Sequence, residues 1–281
     1  MAEHTTLGIR LRRIESPQNS RVKQLRRAFK DAAPNSDGEV AVEGMHMVEE
    51  AIRSGLRIST VYFSESARER AHKLLPQLSS HTETLLLPDV VFETAVPTET
   101  PQGIAALVRA KSFTLEKILA ADHALLLVLA GLQDPGNLGT IARSAEAFGA
   151  QGLLLAEGTV SPWNWKALRA SAGSLLRIPL AETDLATAFR ELKSRKIRIL
   201  ATSSHRGTPL PQVELAGAVA LLIGNEGAGL SKAVMAQADE IVAIPQAEHV
   251  ESLNAAIAAS VVLYEAIRQR RLPPGRIASE V

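Results

Sequence analysis

Residues 219–232, Val219-Ala220-Leu221-Leu222-Ile223-Gly224-Asn225-Glu226-Gly227-Ala228-Gly229-Leu230-Ser231-Lys232, set the architecture of this chain. The unbroken apolar run Val219–Ile223 suits a strand buried on both faces, as in a parallel sheet covered by helices. A glycine-rich turn follows at once. Gly224 and Gly229 have the spacing of a phosphate-binding P-loop, which needs Lys directly after its second glycine. Here Leu230 takes that place and Lys232 comes two positions late. Two residues turn a side chain through roughly 200° around a helix, so Lys232 is expected to point away. Glycines at 224, 227 and 229 do not follow the dinucleotide-binding fingerprint either. They read instead as a place where backbone approaches a flat ligand closely, with Ser231 capping the next helix.

The same alternation runs through the second part of the chain. Strands are predicted over Leu125–Leu129, Gly152–Leu155, Ile197–Thr202 and Ile241–Ile244, with helical stretches between them. Ligands on such sheets bind beyond the carboxyl ends of the strands, so the loops there matter most. The first part reads as a smaller α/β unit. It has a helix from Asn19 or Ser20 to about Lys30, a helix Met45–Ser54 stopped by Gly55, and strands at Val40 and Val42, Ile58–Phe63, Thr84–Leu87 and Ile104–Val108. The segment Lys111–Asp122 is the boundary, giving domains 1–112 and 113–281.

Two more strand-end loops carry polar groups. In Asp134-Pro135-Gly136-Asn137-Leu138-Gly139-Thr140-Ile141-Ala142-Arg143-Ser144, a Pro-Gly turn leads into a helix with Arg143 expected in its second turn. That junction can hold phosphate on exposed amides, reinforced by Arg143. A helix start capped by Asn, with Arg143 an ordinary surface cation, accounts for the same residues. In Ile244-Pro245-Gln246-Ala247-Glu248-His249-Val250-Glu251-Ser252-Leu253-Asn254, the groups of Ser252 and Asn254 stand at the entrance of an Ala-rich helix, Ala255–Arg268. His249 has no second His at ligand spacing and reads as an exposed loop residue; no metal site is expected.

Composition narrows the chemistry. The chain has 281 residues, 46% hydrophobic and 22% charged, and its apolar runs are too short to span a bilayer, so no membrane anchor and a cytoplasmic location are expected. Cysteine is absent, which excludes disulfides, thiolate metal sites and any chemistry that needs a thiolate nucleophile. Net charge is only +1, yet Arg10, Arg12, Arg13, Arg21, Lys23, Arg26, Arg27 and Lys30 crowd a short span against the single acid Glu15. Such a cluster, Arg21, Lys23, Arg26 and Arg27 above all, can hold the phosphates of a nucleic acid through charge and counterion release. A solvated helix face that keeps the protein soluble is the competing reading.

Together, Asn137 through Ala145, Leu222 through Ser231, and Ile244-Pro245 through Glu251-Ser252-Leu253-Asn254 closely resemble the three motifs of the SpoU/TrmH family in the SPOUT class of methyltransferases. The resemblance covers roughly Leu125 to Arg268, within which the intermediate stretch Lys166 through Ser174 also resembles the family. Glu43 through Ala51 and Pro101-Gln102-Gly103-Ile104-Ala105 resemble the small substrate-recognition domain of many members, itself similar to a ribosomal protein that grips kinked RNA.

The resemblance implies a parallel-sheet SPOUT domain with a C-terminal trefoil knot, an exception to un-knotted connection, preceded by the smaller α/β RNA-recognition domain. It implies S-adenosylmethionine as methyl donor, a ribose 2′-hydroxyl as acceptor, ribosomal RNA ahead of transfer RNA as substrate, and a homodimer. Ile223, Gly224, Ile244 and Leu253 fall on cofactor-binding positions, while Asn137, Arg143, Glu226, Ser252 and Asn254 fall on catalytic ones. On this basis Arg143 holds the adjacent phosphate and stabilises charge on the 2′-oxygen, Glu226 orients Arg143, and Ser252 and Asn254 hold the ribose and the motif loop. Three departures lie beside the cofactor loop: Gln246 where Met is frequent, Glu248 and His249 in a turn that commonly holds glycine, and Ala255-Ala256 for a frequent Val-Ser. The rival from another class is an RNA-binding assembly factor that keeps the fold without turnover; the presence of Arg143, Glu226 and Asn254 speaks against it.

Overall fold

Two separate sheets organise the chain, a computed structural model that describes residues 11–204, 206–247, 249 and 251–271. Arg10, Glu248 and Val250 lie outside the described residues. The chain divides into two compact units: one of residues up to Lys111 together with Trp163–Leu176, the other of Ser112–Pro162 and Arg177 onward.

The first unit holds strands β1 (Arg12–Arg13), β2 (Glu39–Glu43), β3 (Ile58–Ser64), β4 (Glu83–Leu87) and β5 (Ile104–Arg109) in the order β1-β4-β3-β5-β2. β4 runs parallel to β1 and β3, while β5 is antiparallel to β3 and β2. Helices α1 (Ser20–Asp31), α2 (Met45–Arg53), α3 (Arg68–Leu74) and α4 (Asp89–Glu93) belong to it, as does α7 (Trp165–Ala170). Asn19 caps α1 by accepting from the Arg21 amide, and Val22, Leu25 and Phe29 turn one stripe into a core with Tyr62, Leu85, Phe92 and Leu107. Trp165 packs against the same core. α2 stops where expected, because Gly55 takes a positive φ while its N–H and that of Leu56 donate back to Ile52 and Ala51.

The second unit is an all-parallel, seven-stranded sheet in the order β10-β12-β9-β11-β6-β7-β8. Its strands are β6 (Leu125–Leu129), β7 (Gly152–Leu155), β8 (Leu180–Glu182), β9 (Arg198–Ser203), β10 (Thr208–Pro209), β11 (Val219–Ile223) and β12 (Glu240–Ala243). Helices α5 (Leu115–Ile118), α6 (Pro135–Ala147), α8 (Leu185–Ser194), α9 (Lys232–Met235) and α10 (Ala255–Arg271) complete it. β6, β7 and β11 are buried along their whole length, as apolar runs between two helix layers must be. The very short edge strands β8 and β10 have no periodicity to read and did not figure among the predicted strands. No described helix is long and apolar enough to cross a membrane.

Strand order matters more here than strand identity. β6 lies between β11 and β7: the chain leaves β6 in one direction to build β7 and β8, crosses to the other side at β9, and later inserts β11 between β9 and β6. That reversal opens a crevice at the carboxyl ends of β6 and β11, the place where ligands bind on such sheets.

Candidate active site

The loop after β6 enters α6 one turn earlier than the sequence pattern indicated. Asp134, not Asn137, is the N-cap: its carboxylate accepts from the Asn137 amide at 2.7 Å, and Pro135 occupies the first helical turn, where a missing N–H costs nothing. Asn137 therefore sits within the helix with its side chain released for other work. Its Nδ2 donates to Glu226 Oε1 at 3.0 Å and its Oδ1 accepts from Asn254 Nδ2 at 2.9 Å. Glu226 also accepts from the backbone amides of Asp134 at 3.0 Å and Gln133 at 3.1 Å. Asn254 in turn caps α10 by accepting from the amides of Ala256 and Ile257. One chain of side-chain bonds thus joins the loops after β6, β11 and β12.

Within the single chain the carboxylate of Glu226 is engaged elsewhere than on Arg143. Its carboxylate is held by the Gln133 and Asp134 amides and by Asn137, and no bond to Arg143 forms. Partial burial disfavours its charged form, but donation from Asn137, Asp134 and Gln133 outweighs that and holds the carboxyl below its ordinary value. Glu226 is a fixed anion that organises backbone, unsuited to picking up a proton near neutrality.

The loop after β11 closes on itself. Asn225 Oδ1 accepts from the amides of Gly227 and Ala228, and Asn225 Nδ2 donates to the Gly131 carbonyl at 2.9 Å. A Cβ at Gly224 would fall 2.5–2.8 Å from backbone atoms of Gly229 and Leu230, so no side chain fits there. Ser231 caps α9, as expected, by accepting from the Val234 amide.

Beside this loop lies a cavity of about 300 Å³, within the range of small-molecule sites. All four residues expected to hold the cofactor, Ile223, Gly224, Ile244 and Leu253, line it, together with Glu226 and Ser252. Asn137, Arg143 and Asn254 do not. The wall also includes residues not among the expected cofactor positions: Thr202 and Ser203 at the end of β9, Ser204 just after it, Met235 on α9, and Gln246. The carboxyl-end rule points to Thr202–Ser204, but only once β9 is known to neighbour β11 and β12. The cavity suits S-adenosylmethionine in two respects. Leu230, Met235, Val242 and Ile244 offer an apolar slot for a flat base, and Gln246 carries a buried Oε1 with no hydrogen-bond donor among the described residues.

Arg143 is exposed and, with α6 beginning at Pro135, stands in the third turn, not the second. It is thus too far along for the helix N-terminus to reinforce it, and no hydrogen bond or ion pair ties it to a described residue. Its neighbour Ser144 meets Ser260 of α10 at 2.7 Å; Ser260 donates to the Ala256 carbonyl, so Ser144 is the donor between them. Ser252 is exposed at the cavity rim, and His249 is exposed too.

The four expected RNA contacts on α1 separate into two kinds. Arg21 pairs with Glu83 at 2.8 Å, and Arg26 donates to the backbone and hydroxyl oxygens of Thr94. Lys23 and Arg27 are exposed one turn apart, joined by Lys30 on the same face, with Arg27 reaching Asp31 at 3.0 Å.

Comparison with known proteins accords with this geometry. Residues 124–264 match the SpoU rRNA Methylase family, and residues 19–106 match the MRM3-like substrate binding domain. The 23S rRNA (guanosine(2553)-2′-O)-methyltransferase RlmP of Bacillus subtilis is 32% identical over 90% of this chain and 98% of its own length. An uncharacterized tRNA/rRNA methyltransferase of Synechocystis is 35% identical over 92% of this chain and 94% of its own. Among solved structures, the SpoU methyltransferase AviRb of Streptomyces viridochromogenes in complex with AdoMet aligns with a TM-score of 0.79 at 29% identity, covering 90% of this chain and 98% of that one. An AdoMet-bound rRNA methyltransferase of Sinorhizobium meliloti gives 0.79 at 28% identity, covering 92% and 98%. Fold, loops and likenesses define the class, a SPOUT methyltransferase that uses S-adenosylmethionine to methylate RNA. The chain belongs to the SpoU rRNA methylase family.

Proposed function

We propose that this chain transfers the methyl group of S-adenosylmethionine to a ribose 2′-hydroxyl of ribosomal RNA, working as a knotted homodimer in the cytoplasm. The observation that carries the reading is the Glu226–Asn137–Asn254 chain of bonds, which joins the three motif loops beside a cavity walled by Ile223, Gly224, Ile244 and Leu253. Ribosomal RNA is favoured over transfer RNA by the Bacillus subtilis relative, whose name specifies a guanosine of 23S rRNA, and by the substrate-binding domain.

When bound, S-adenosylmethionine supplies a methyl group already activated as a sulfonium. What the chain's own residues contribute is alignment, exclusion of water and charge. Backbone at Ile223, Gly224, Ile244 and Leu253 holds the cofactor, and Ser252, exposed at the rim, holds the ribose. Arg143 clasps the phosphate next to the target ribose and stabilises negative charge on the 2′-oxygen; its freedom from protein partners among the described residues supports that role. Asn137, Glu226 and Asn254 act as positioning residues, since their polar atoms are spent on one another and on backbone.

The knot is carried over from the family resemblance, with the SpoU methyltransferase structures that this chain resembles at a TM-score of 0.79 in its support. Dimerisation is supported by Ile257, Val261 and Tyr264, which form one stripe on α10 and are 51%, 37% and 56% exposed. Lys23 and Arg27 are the α1 residues whose exposure suits RNA phosphate. The test is incubation of the purified protein with methyl-labelled S-adenosylmethionine and deproteinised ribosomal or transfer RNA. Label on ribose, read as resistance of one linkage to alkaline cleavage, is the expected result in ribosomal RNA. Label on a base, or on neither RNA, overturns the proposal.

A further inference from the structure

Gln246 is this chain's own feature in the cofactor loop, at a position where the resembled family frequently has Met. Its side chain lines the cavity, and its orientation is fixed by chemistry. Nε2 donates to the Ser204 carbonyl at 3.3 Å, and a carbonyl only accepts, so the amide nitrogen must face Ser204 and Oε1 must face the other way. Oε1 is buried without a donor among the described residues. A buried acceptor left unmatched is costly, and such groups in folded proteins have a reason.

The surrounding wall narrows what the missing donor is. Met235, Val242 and Ile244 give the cavity an apolar portion fit for a flat heteroaromatic ring, while Thr202–Ser204, Asn225, Glu226 and Ser252 supply its polar character. A carboxamide offers adenine the complement it takes elsewhere, an acceptor for the exocyclic 6-amino group. A thioether at the same place accepts hydrogen bonds only weakly. Resting on the cofactor reading above, we propose that Gln246 is a specificity-determining residue: its Oε1 accepts from the adenine 6-amino group and makes this enzyme select adenosyl over deaminated nucleosides.

Replacing the 6-amino group by a 6-oxo group sets acceptor against acceptor. A site that pairs a polar group rejects an analogue unable to supply it by far more than a loss of apolar contact would. The experiment is calorimetric titration of the full chain with S-adenosylhomocysteine and with S-inosylhomocysteine, which needs no turnover. The wild type should favour the adenosyl compound by at least about tenfold, and Gln246→Met should shrink that preference to about threefold or less with an unchanged melting temperature. Gln246→Leu serves the same purpose if the Met variant does not fold. The proposal is overturned if the wild type does not discriminate, or if the variant keeps the full preference. Should the wild type bind neither compound, the cofactor reading itself falls, an outcome distinct from binding without discrimination.

Discussion

Replacing Glu226 by Gln tests the bond chain that joins the three loops while keeping side-chain shape. The carboxylate accepts three bonds: Oε1 from the Asp134 amide and Asn137 Nδ2, both at 3.0 Å, and Oε2 from the Gln133 amide at 3.1 Å. In Glu226→Gln one oxygen remains for two of them, but an amide N–H is set against the Gln133 N–H, and the charge that strengthened all three is gone. Hydrogen bonds to charged groups contribute about 1.5–3 kcal/mol and neutral ones about 0.5–1.5. Glu226 is solvent-exposed on one side, which places the loss at the lower end, about 1–2 kcal/mol. For a chain of this size that is a fall in Tm of about 2–8 °C. Affinity for S-adenosylmethionine should drop about tenfold, because the loop bearing Glu226 forms one wall of the cavity. Asn137→Ala removes part of the same chain, so the double variant should cost less than the sum of the singles by about 0.5 kcal/mol or more. Acid offers a further check. The folded carboxyl titrates below its ordinary value of 4.5, so its contribution is complete above that value and is lost as pH falls through the lower folded one. Glu226→Gln should flatten that acid limb. Melting curves and calorimetry across pH read all of this; additive losses with unchanged cofactor affinity would refute the reasoning.

Other expectations follow from exposure and pairing. Arg143→Ala should leave Tm and cofactor affinity as they are while single-turnover methylation falls about 10²-fold to 10³-fold, with Lys rescuing only in part; a near-parental rate makes Arg143 ordinary surface. Lys23→Ala with Arg27→Ala should weaken RNA binding and lower its salt dependence by about two charges, measured by filter binding at several ionic strengths. Arg21→Ala and Arg26→Ala should instead lower Tm, because those guanidinium groups already hold Glu83 and Thr94; equal effects of the two pairs on RNA binding would contradict this division. The proposed dimer should scatter light as a dimer at micromolar concentration, and Tyr264→Asp with Val261→Asp should convert it to monomer, since both side chains are exposed in the single chain.

Strand identity in the second unit was legible because Leu125–Leu129 and Val219–Ile223 are unbroken apolar runs, which only burial on two faces accommodates. The edge strands β8 and β10 were not, being too short for a period. The candidate cofactor residues were legible through the motif resemblance, and the glycine at 224 also through sterics. The partner of Glu226 was not. The family resemblance set Glu226 to orient Arg143, yet in the chain the backbone amides of Gln133 and Asp134 hold its carboxylate, and amides leave no trace in residue type.

By itself the sequence determined which segments are buried, where helices α1, α2 and α9 take their caps, and which loops hold polar groups, because each of these depends on residues within a few positions of one another. Only the tertiary structure decided that β11 lies between β6 and β9, that Asn137 is bonded to Asn254, that Thr202–Ser204 and Gln246 share the cavity with Gly224, and that Arg21 and Arg26 are occupied while Lys23 faces solvent. The physical reason is range: caps and periodicity act through local backbone geometry, whereas hydrogen-bond pairing and burial across strands depend on which distant segments the parallel sheet sets side by side.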